Sequence, residues 1–249
     1  MIDFNNKSIS IKKYIIFLFL ILVLSVVFFI MIKYNVEGEK NIPFNITNLM
    51  IISSAETEEL ENHDNLYQAN IIQKNDIYLA IEKNKNYKKQ DAIKKIMFNN
   101  FNVVEKGNTG TVKIYRISTG EKTFDYKEEY EIRDSLEFLG DLNTNLKMEK
   151  MTIANQGGLI QFSVILNDLG KITYGENENI PSDGTLLKRL NLNTDDIKVT
   201  IAFDMIMKLS SGNTFKTTIN LELPVGDITE DGVCTQDNMD LNKLVFKRI

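Results

Sequence analysis

The sequence predicts a mainly β protein, with an N-terminal transmembrane helix over 14–32 followed by a β-sandwich (Ig-like) ectodomain over 45–249. Three observations carry this. One apolar run is long enough to cross a bilayer. Two alternating runs, the first broken on its polar side by Ile206, flank a glycine-containing turn at 210–213. Shorter alternating runs, separated by turn residues, recur through the rest of the chain.

The run "YIIFLFLILVLSVVFFIMI" holds 19 residues, and Ser25 is its one polar side chain beyond the edge tyrosine. At about 1.5 Å per residue it spans slightly less than the ~30 Å hydrocarbon core. Lys13 and Lys33 bracket it, with Tyr14 and Tyr34 beside them as interfacial anchors. A buried core helix would carry a polar stripe, and none exists here. A cleaved signal would have an apolar region of roughly 7 to 15 residues and small residues after it. The following "KYNVEGEK" offers only Val36 and Gly38, so the segment reads as a retained anchor. Lys7, Lys12 and Lys13 precede the span, whereas Lys33 and Lys40 follow it against Glu37 and Glu39. That asymmetry predicts a cytoplasmic tail over 1–13, a lipid-embedded 14–32, a linker over 33–44 and an extracytoplasmic C-terminal domain at the cell membrane.

Strands follow at 45–53, 76–83, 111–118, 146–154 and 159–166, with a last one at 243–249. The clearest pair lies between them. "TIAFDMIMKL" puts Ile201, Phe203, Met205, Met207 and Leu209 on one side, and "TFKTTINLEL" does the same with Phe215, Thr217, Ile219, Leu221 and Leu223. With "SSGN" between them they read as a hairpin, ended by Pro224. Helical spacing is expected over "KKQDAIKKI", 88–96, where Ala92, Ile93 and Ile96 fall together, and as a short turn over 182–190. The charged, turn-rich stretch 119–145 is where the ectodomain would divide into two lobes.

Charge excludes one class of partner. Beyond residue 32 the chain carries 26 basic and 33 acidic residues, a net charge of −7, with no run of lysine or arginine. Such a domain gains nothing from counterion release, so nucleic acid is excluded. Cys234 is the only cysteine, which forbids an internal disulfide. Abundant Ile, Lys and Asn with no Trp suggests an AT-rich bacterial genome, and cysteine-poor exported proteins are ordinary in Gram-positive bacteria.

No catalytic set is legible. His63 is the only histidine, and a His/Cys hydrolase would need it beside Cys234, with Arg189 or Arg248 near. One His and one Cys cannot furnish a usual zinc site. "DITEDG" at 227–232 matches the opening of a calcium loop, which makes Asp227 and Asp231 the candidate cation ligands. The twelfth position, where a bidentate Glu belongs, is Asn238, so no metal and no cofactor is expected. Asp195 and Asp196 in "TDD" read as a cap, and Gly157 and Gly158 in "NQGGLI" as a turn or bulge.

The one-span start, "NQGG", "DGTLLK", "FDMIMKLSSG" and the terminal "FKRI" resemble uncharacterised single-pass exported membrane proteins of Clostridia-like Gram-positive bacteria. The resemblance implies location and fold and carries no site residues. The expected role is binding or scaffolding in a cell envelope without catalysis, against an unidentified envelope protein or polymer. A component of an export or envelope-assembly machine is the alternative, and an envelope hydrolase the second.

Overall fold

The computed structural model describes residues 4–63, 66–120, 122–143, 151–175, 185–237, 241 and 244–249, with side chains described from residue 11 onward and outside 59–67. Helix α1 (Phe4–Glu37) contains one segment, Ile11–Glu37, long and apolar enough to cross a membrane. Its side chains from Ile11 on are exposed rather than packed on the sheets. The described residues then form strands β1 (Phe44–His63), β2 (Leu66–Lys83), β3 (Ile93–Lys106), β4 (Thr111–Arg116), β5 (Ser135–Asp141), β6 (Met151–Ala154) and β7 (Gly157–Gly175). Two short helices follow, α2 (Thr185–Arg189) and α3 (Thr194–Ile197). The chain then adds β8 (Val199–Leu209), β9 (Thr214–Leu223), α4 (Ile228–Asp231), β10 (Val233–Gln236) and β11 (Lys247–Arg248).

The strands make a β-sandwich. The first sheet runs β10-β1-β2-β7-β4 and the second β11-β9-β8-β3-β5-β6, all antiparallel except β5 with β6. Alternation explains the pairing: Ile51, Ile77, Leu79, Ile160 and Phe162 of one sheet and Phe98, Phe203, Met205 and Ile219 of the other are at most 1% exposed. Phe162 meets Phe98 at 5.7 Å and Phe203 at 5.4 Å, so aromatic rings join the two layers. One polar knot sits inside. Asn75 accepts from Ser53 Oγ at 2.7 Å and donates to the Val164 carbonyl at 3.1 Å, which fixes β1, β2 and β7 in register.

The hairpin β8–β9 closes at Lys208 opposite Thr214 around the expected turn. The expected strands at 45–53 and 159–166 lie in β1 and β7, 76–83 is the second half of β2, and of 111–118 only Thr111–Arg116 is strand, as β4. Of 146–154, residues 151–154 form β6 and 146–150 lie outside the described residues. Of 243–249, only Lys247–Arg248 is strand, and 243 lies outside them. Within 119–145, β5 joins the second sheet.

One expectation is corrected. Residues 93–96 are the start of β3, not a helix. Ile93 and Ile96 both point inward, three residues apart, because a bulge opposite Leu209 and Lys208 adds a residue between them. The bulge mimics helical spacing. Gly140 of β5 crosses so close to it that a Cβ there would stand 1.8 Å from the Ile93 carbonyl oxygen.

The junction with α1 is docked. Residues 33–37 continue the helix, which Gly38 ends at φ 67°. A Cβ on Gly38 would lie 2.4 Å from the Phe246 carbonyl oxygen, the same oxygen that accepts from Glu39 N–H at 2.7 Å. Arg248 N–H donates to the Tyr34 hydroxyl at 2.8 Å, and its guanidinium approaches Glu39 at 3.7 Å. The C-terminal strand thereby ties the end of the helix to β9.

Candidate functional site

The outer face of the first sheet is unusual in being charged and covered. Side chains one residue out of phase with the core project there from β2: Ile72, Lys74, Asp76 and Tyr78. Register sets transverse rows. Ile52, Asp76, Ser163 and Tyr115 align across β1, β2, β7 and β4, and Ser54, Lys74, Ile165 and Lys113 form the next row.

A strap formed by the described residues 117–120 and 122–134 crosses this face. It is held where Tyr115 bridges Glu131 and where Ile132 N–H reaches the Ile114 carbonyl at 2.7 Å. The Thr119 and Tyr130 hydroxyls meet at 2.8 Å. Tyr130, Tyr115, Ile72 and Ile165 make a small apolar cluster, with the Tyr126 ring 5.3 Å from Tyr115. Such a long irregular connection in a compact domain is more often a functional element than a spacer.

Between strap and sheet lies a cleft of about 880 Å³. Lys74 is its electrostatic centre, with Nζ 3.0 Å from Glu56 Oε1 and 3.3 Å from Asp76 Oδ2. Ser54 Oγ also donates to Glu56, at 3.1 Å. Asp76 is 7% exposed, and its Oδ1 is fully buried without a hydrogen-bond partner. Burial pushes the Asp76 carboxyl above the ordinary aspartate value, and Lys74 and the Ser163 hydroxyl oppose that only in part. Burial disfavours the Lys74 ammonium as well, but Asp76 and Glu56 outweigh it and hold its pKa above the usual lysine value. Burial, reinforced by the charges of Asp76 and Glu56, raises the Tyr126 phenol so far that it stays a neutral donor. A buried carboxylate with one orphaned oxygen beside a half-buried lysine costs stability, and such arrangements concentrate at binding and catalytic sites.

The residues considered in the sequence lie elsewhere. Cys234 pairs with Ser53, and the His63 backbone lies ten residues further along β1, roughly 30 Å away at ~3.3 Å per residue. No nucleophile–base pair can form across that span; the His63 side chain itself lies outside the described residues. Arg189 is in α2, and Arg248 stacks over Phe215 at 5.5 Å. Asp227 is the N-cap of α4, accepting from Thr229 N–H at 3.0 Å and from the Thr194 hydroxyl at 3.3 Å. The Thr229 hydroxyl donates to it as well, and that bond above all holds its carboxyl below the ordinary range. Asp231 Oδ2 faces the Cys234 thiol at 3.8 Å, and Asn238 lies outside the described residues. Among the described residues no group of three or more His, Cys, Asp or Glu side chains is placed to hold a metal. Asn193 caps α3 by accepting from Asp195 and Asp196 N–H, and 155–156 form the turn before β7.

No known protein family, curated protein or solved structure matches this chain. Its cleft is therefore read from chemistry alone. Lys74, Asp76 and Tyr126 were not singled out from the sequence. The available signal was the alternation of Asp76, Tyr78 and Glu82 against Ile77, Leu79 and Ile81, which marks an outer face without revealing that a strap 40 to 50 positions later would bury it.

Proposed function

We propose that the chain is a membrane-anchored extracytoplasmic binding or scaffolding protein of a Clostridia-like Gram-positive cell envelope, acting without catalysis. The observation that carries this reading is the exposed apolar segment Ile11–Glu37, joined to the sandwich through a docked junction rather than a free tether. A sandwich held in this way keeps one orientation at the membrane surface and presents its strap and cleft consistently to a partner. The lysine flank before the span supports a cytoplasmic N-terminus. The lining of the cleft supports binding over chemistry, because its lysine is committed to two carboxylates.

The test is fractionation of the full chain in a Gram-positive host. It should stay with membranes through high salt and carbonate, and protease added to protoplasts should remove all but a short N-terminal fragment. Crosslinking in intact cells should then recover an envelope partner. Recovery of most of the chain from culture medium, or protection of the large domain, would overturn the reading.

A further inference from the structure

The cleft is bounded on one side by a strand edge. β10 pairs with β1 only from Ile51 to Ser54, followed by one bond from Ala55 N–H to the Gly232 carbonyl. Among the described residues no strand continues that pairing, so β1 from Glu56 onward offers main-chain donors and acceptors on its outer edge. Glu56, Thr57 and Glu58 are successive residues with opposite side-chain senses, yet all three line the cleft. The cleft therefore reaches around to that edge.

Its charge is unbalanced. Glu56, Glu58, Asp76 and Asp125 line it against Lys74 and Lys122, and Lys74 alone serves both Glu56 and Asp76. Asp125 has a partner in Lys127 at 2.9 Å. Glu58 has no ion-pair partner among the described residues. Tyr78, Tyr126, Tyr174 and Phe124 complete the walls. Aromatic faces together with surplus carboxylate attract an organic cation, through the ring quadrupoles and through charge-assisted hydrogen bonds. The volume is near the top of the ~300–1,000 Å³ range of small-ligand pockets, more than a lone amine fills.

Resting on the reading of this chain as a binding protein, we propose that the cleft takes an extended peptide segment bearing a lysine-type primary ammonium. Its backbone adds to the open edge of β1, and its ammonium enters beside Glu58 and the Tyr126 side of the strap. Main-chain pairing supplies affinity without reading sequence, and the acidic aromatic pocket selects the cation.

The full chain in neutral detergent is titrated with end-capped tri-lysine, with the same peptide acetylated on its side chains, and with chitotriose. Tyrosine fluorescence and tyrosine NMR shifts report occupancy, the chain having 9 Tyr and no Trp. Tri-lysine should bind saturably, and acetylation should weaken it by about tenfold. Glu58→Gln should weaken it by about fivefold, whereas Glu105→Gln on the second sheet should leave it unchanged. Glu58 is exposed, so its replacement does not endanger folding. Equal binding of the acetylated peptide, an equal loss in Glu105→Gln, or unsaturable binding would overturn the proposal. Chitotriose bound where tri-lysine is not would overturn the ammonium assignment and leave the binding reading standing. No probe bound, together with no partner crosslinked in cells, would overturn both.

Discussion

Among the described residues each sheet carries one buried aspartate on its outer face, and the two are treated oppositely. Asp204 of β8 uses both oxygens. Oδ1 accepts from Thr218 Oγ1 at 2.6 Å, and Oδ2 accepts from Asn100 Nδ2 at 2.7 Å and meets Lys216 Nζ at 2.8 Å. Burial would raise its carboxyl, but the bonds from Lys216, Thr218 and Asn100 overcome that and hold it below the ordinary value. Asp76 of β2 is equally exposed, leans on a shared lysine and the Ser163 hydroxyl, keeps Oδ1 without a hydrogen-bond partner, and lies above the ordinary value. A satisfied carboxylate stabilises its sheet. An unsatisfied one burdens its sheet and marks the face where a ligand's donor would be welcome.

Four measurements break or sharpen that contrast, all by denaturant unfolding of the full chain in neutral detergent. Phe203→Ala sets the scale for the second sheet, because its ring packs on Phe98 at 5.7 Å and Phe162 at 5.4 Å. It should cost about 3–5 kcal/mol. Asp204→Ala should cost about 2–3 kcal/mol, since three donors lose their acceptor. A loss below about 0.5 kcal/mol would show that the network is decorative.

Lys74→Met should cost about 1–2 kcal/mol. It strands Asp76, but its side chain is 21% exposed and water screens part of the pair. Asp76→Asn should change stability at neutral pH by no more than about 0.5 kcal/mol. Its pH dependence is the sharper readout. The folded-state carboxyl of Asp76 is raised, so the contribution of Asp76 is most favourable below the ordinary aspartate pKa of about 3.9 and is lost as pH rises through the folded value. Asp204 has the opposite sign: its contribution is present above about 3.9 and is lost as pH falls through its lowered value. Slopes of the same sign in Asp76→Asn and Asp204→Ala, each taken against wild type, would end the comparison.

Lys216 shows how much of this was legible. Alternation places Lys216 and Asp204 on polar sides of their strands, and both do face outward. Their mutual contact depends on register, in which Asp204 lies opposite Thr218, and on Asn100, at φ 54° within a β3 bulge, completing the set. The same limit applies to the cleft. Asp76 belongs to a recognisable alternating run, but its burial depends on a strap more than 40 residues away whose composition suggested a turn-rich divide.

The apolar helix, the β8–β9 hairpin and the mainly β character were determined by the sequence alone, because each rests on periodicity or length within one short window. The cap expected at "TDD" is legible for the same reason, although the N-cap is Asn193 just before it: its partners Asp195 and Asp196 are three positions away or fewer. Only the tertiary structure decided that 93–96 is strand, that β1 and β2 run far past their strongest alternation, and that Lys74 shares itself between two carboxylates under a tyrosine-bearing strap. These depend on pairings between distant segments. A bulge or a register choice there changes which side chains meet while leaving local composition as it was.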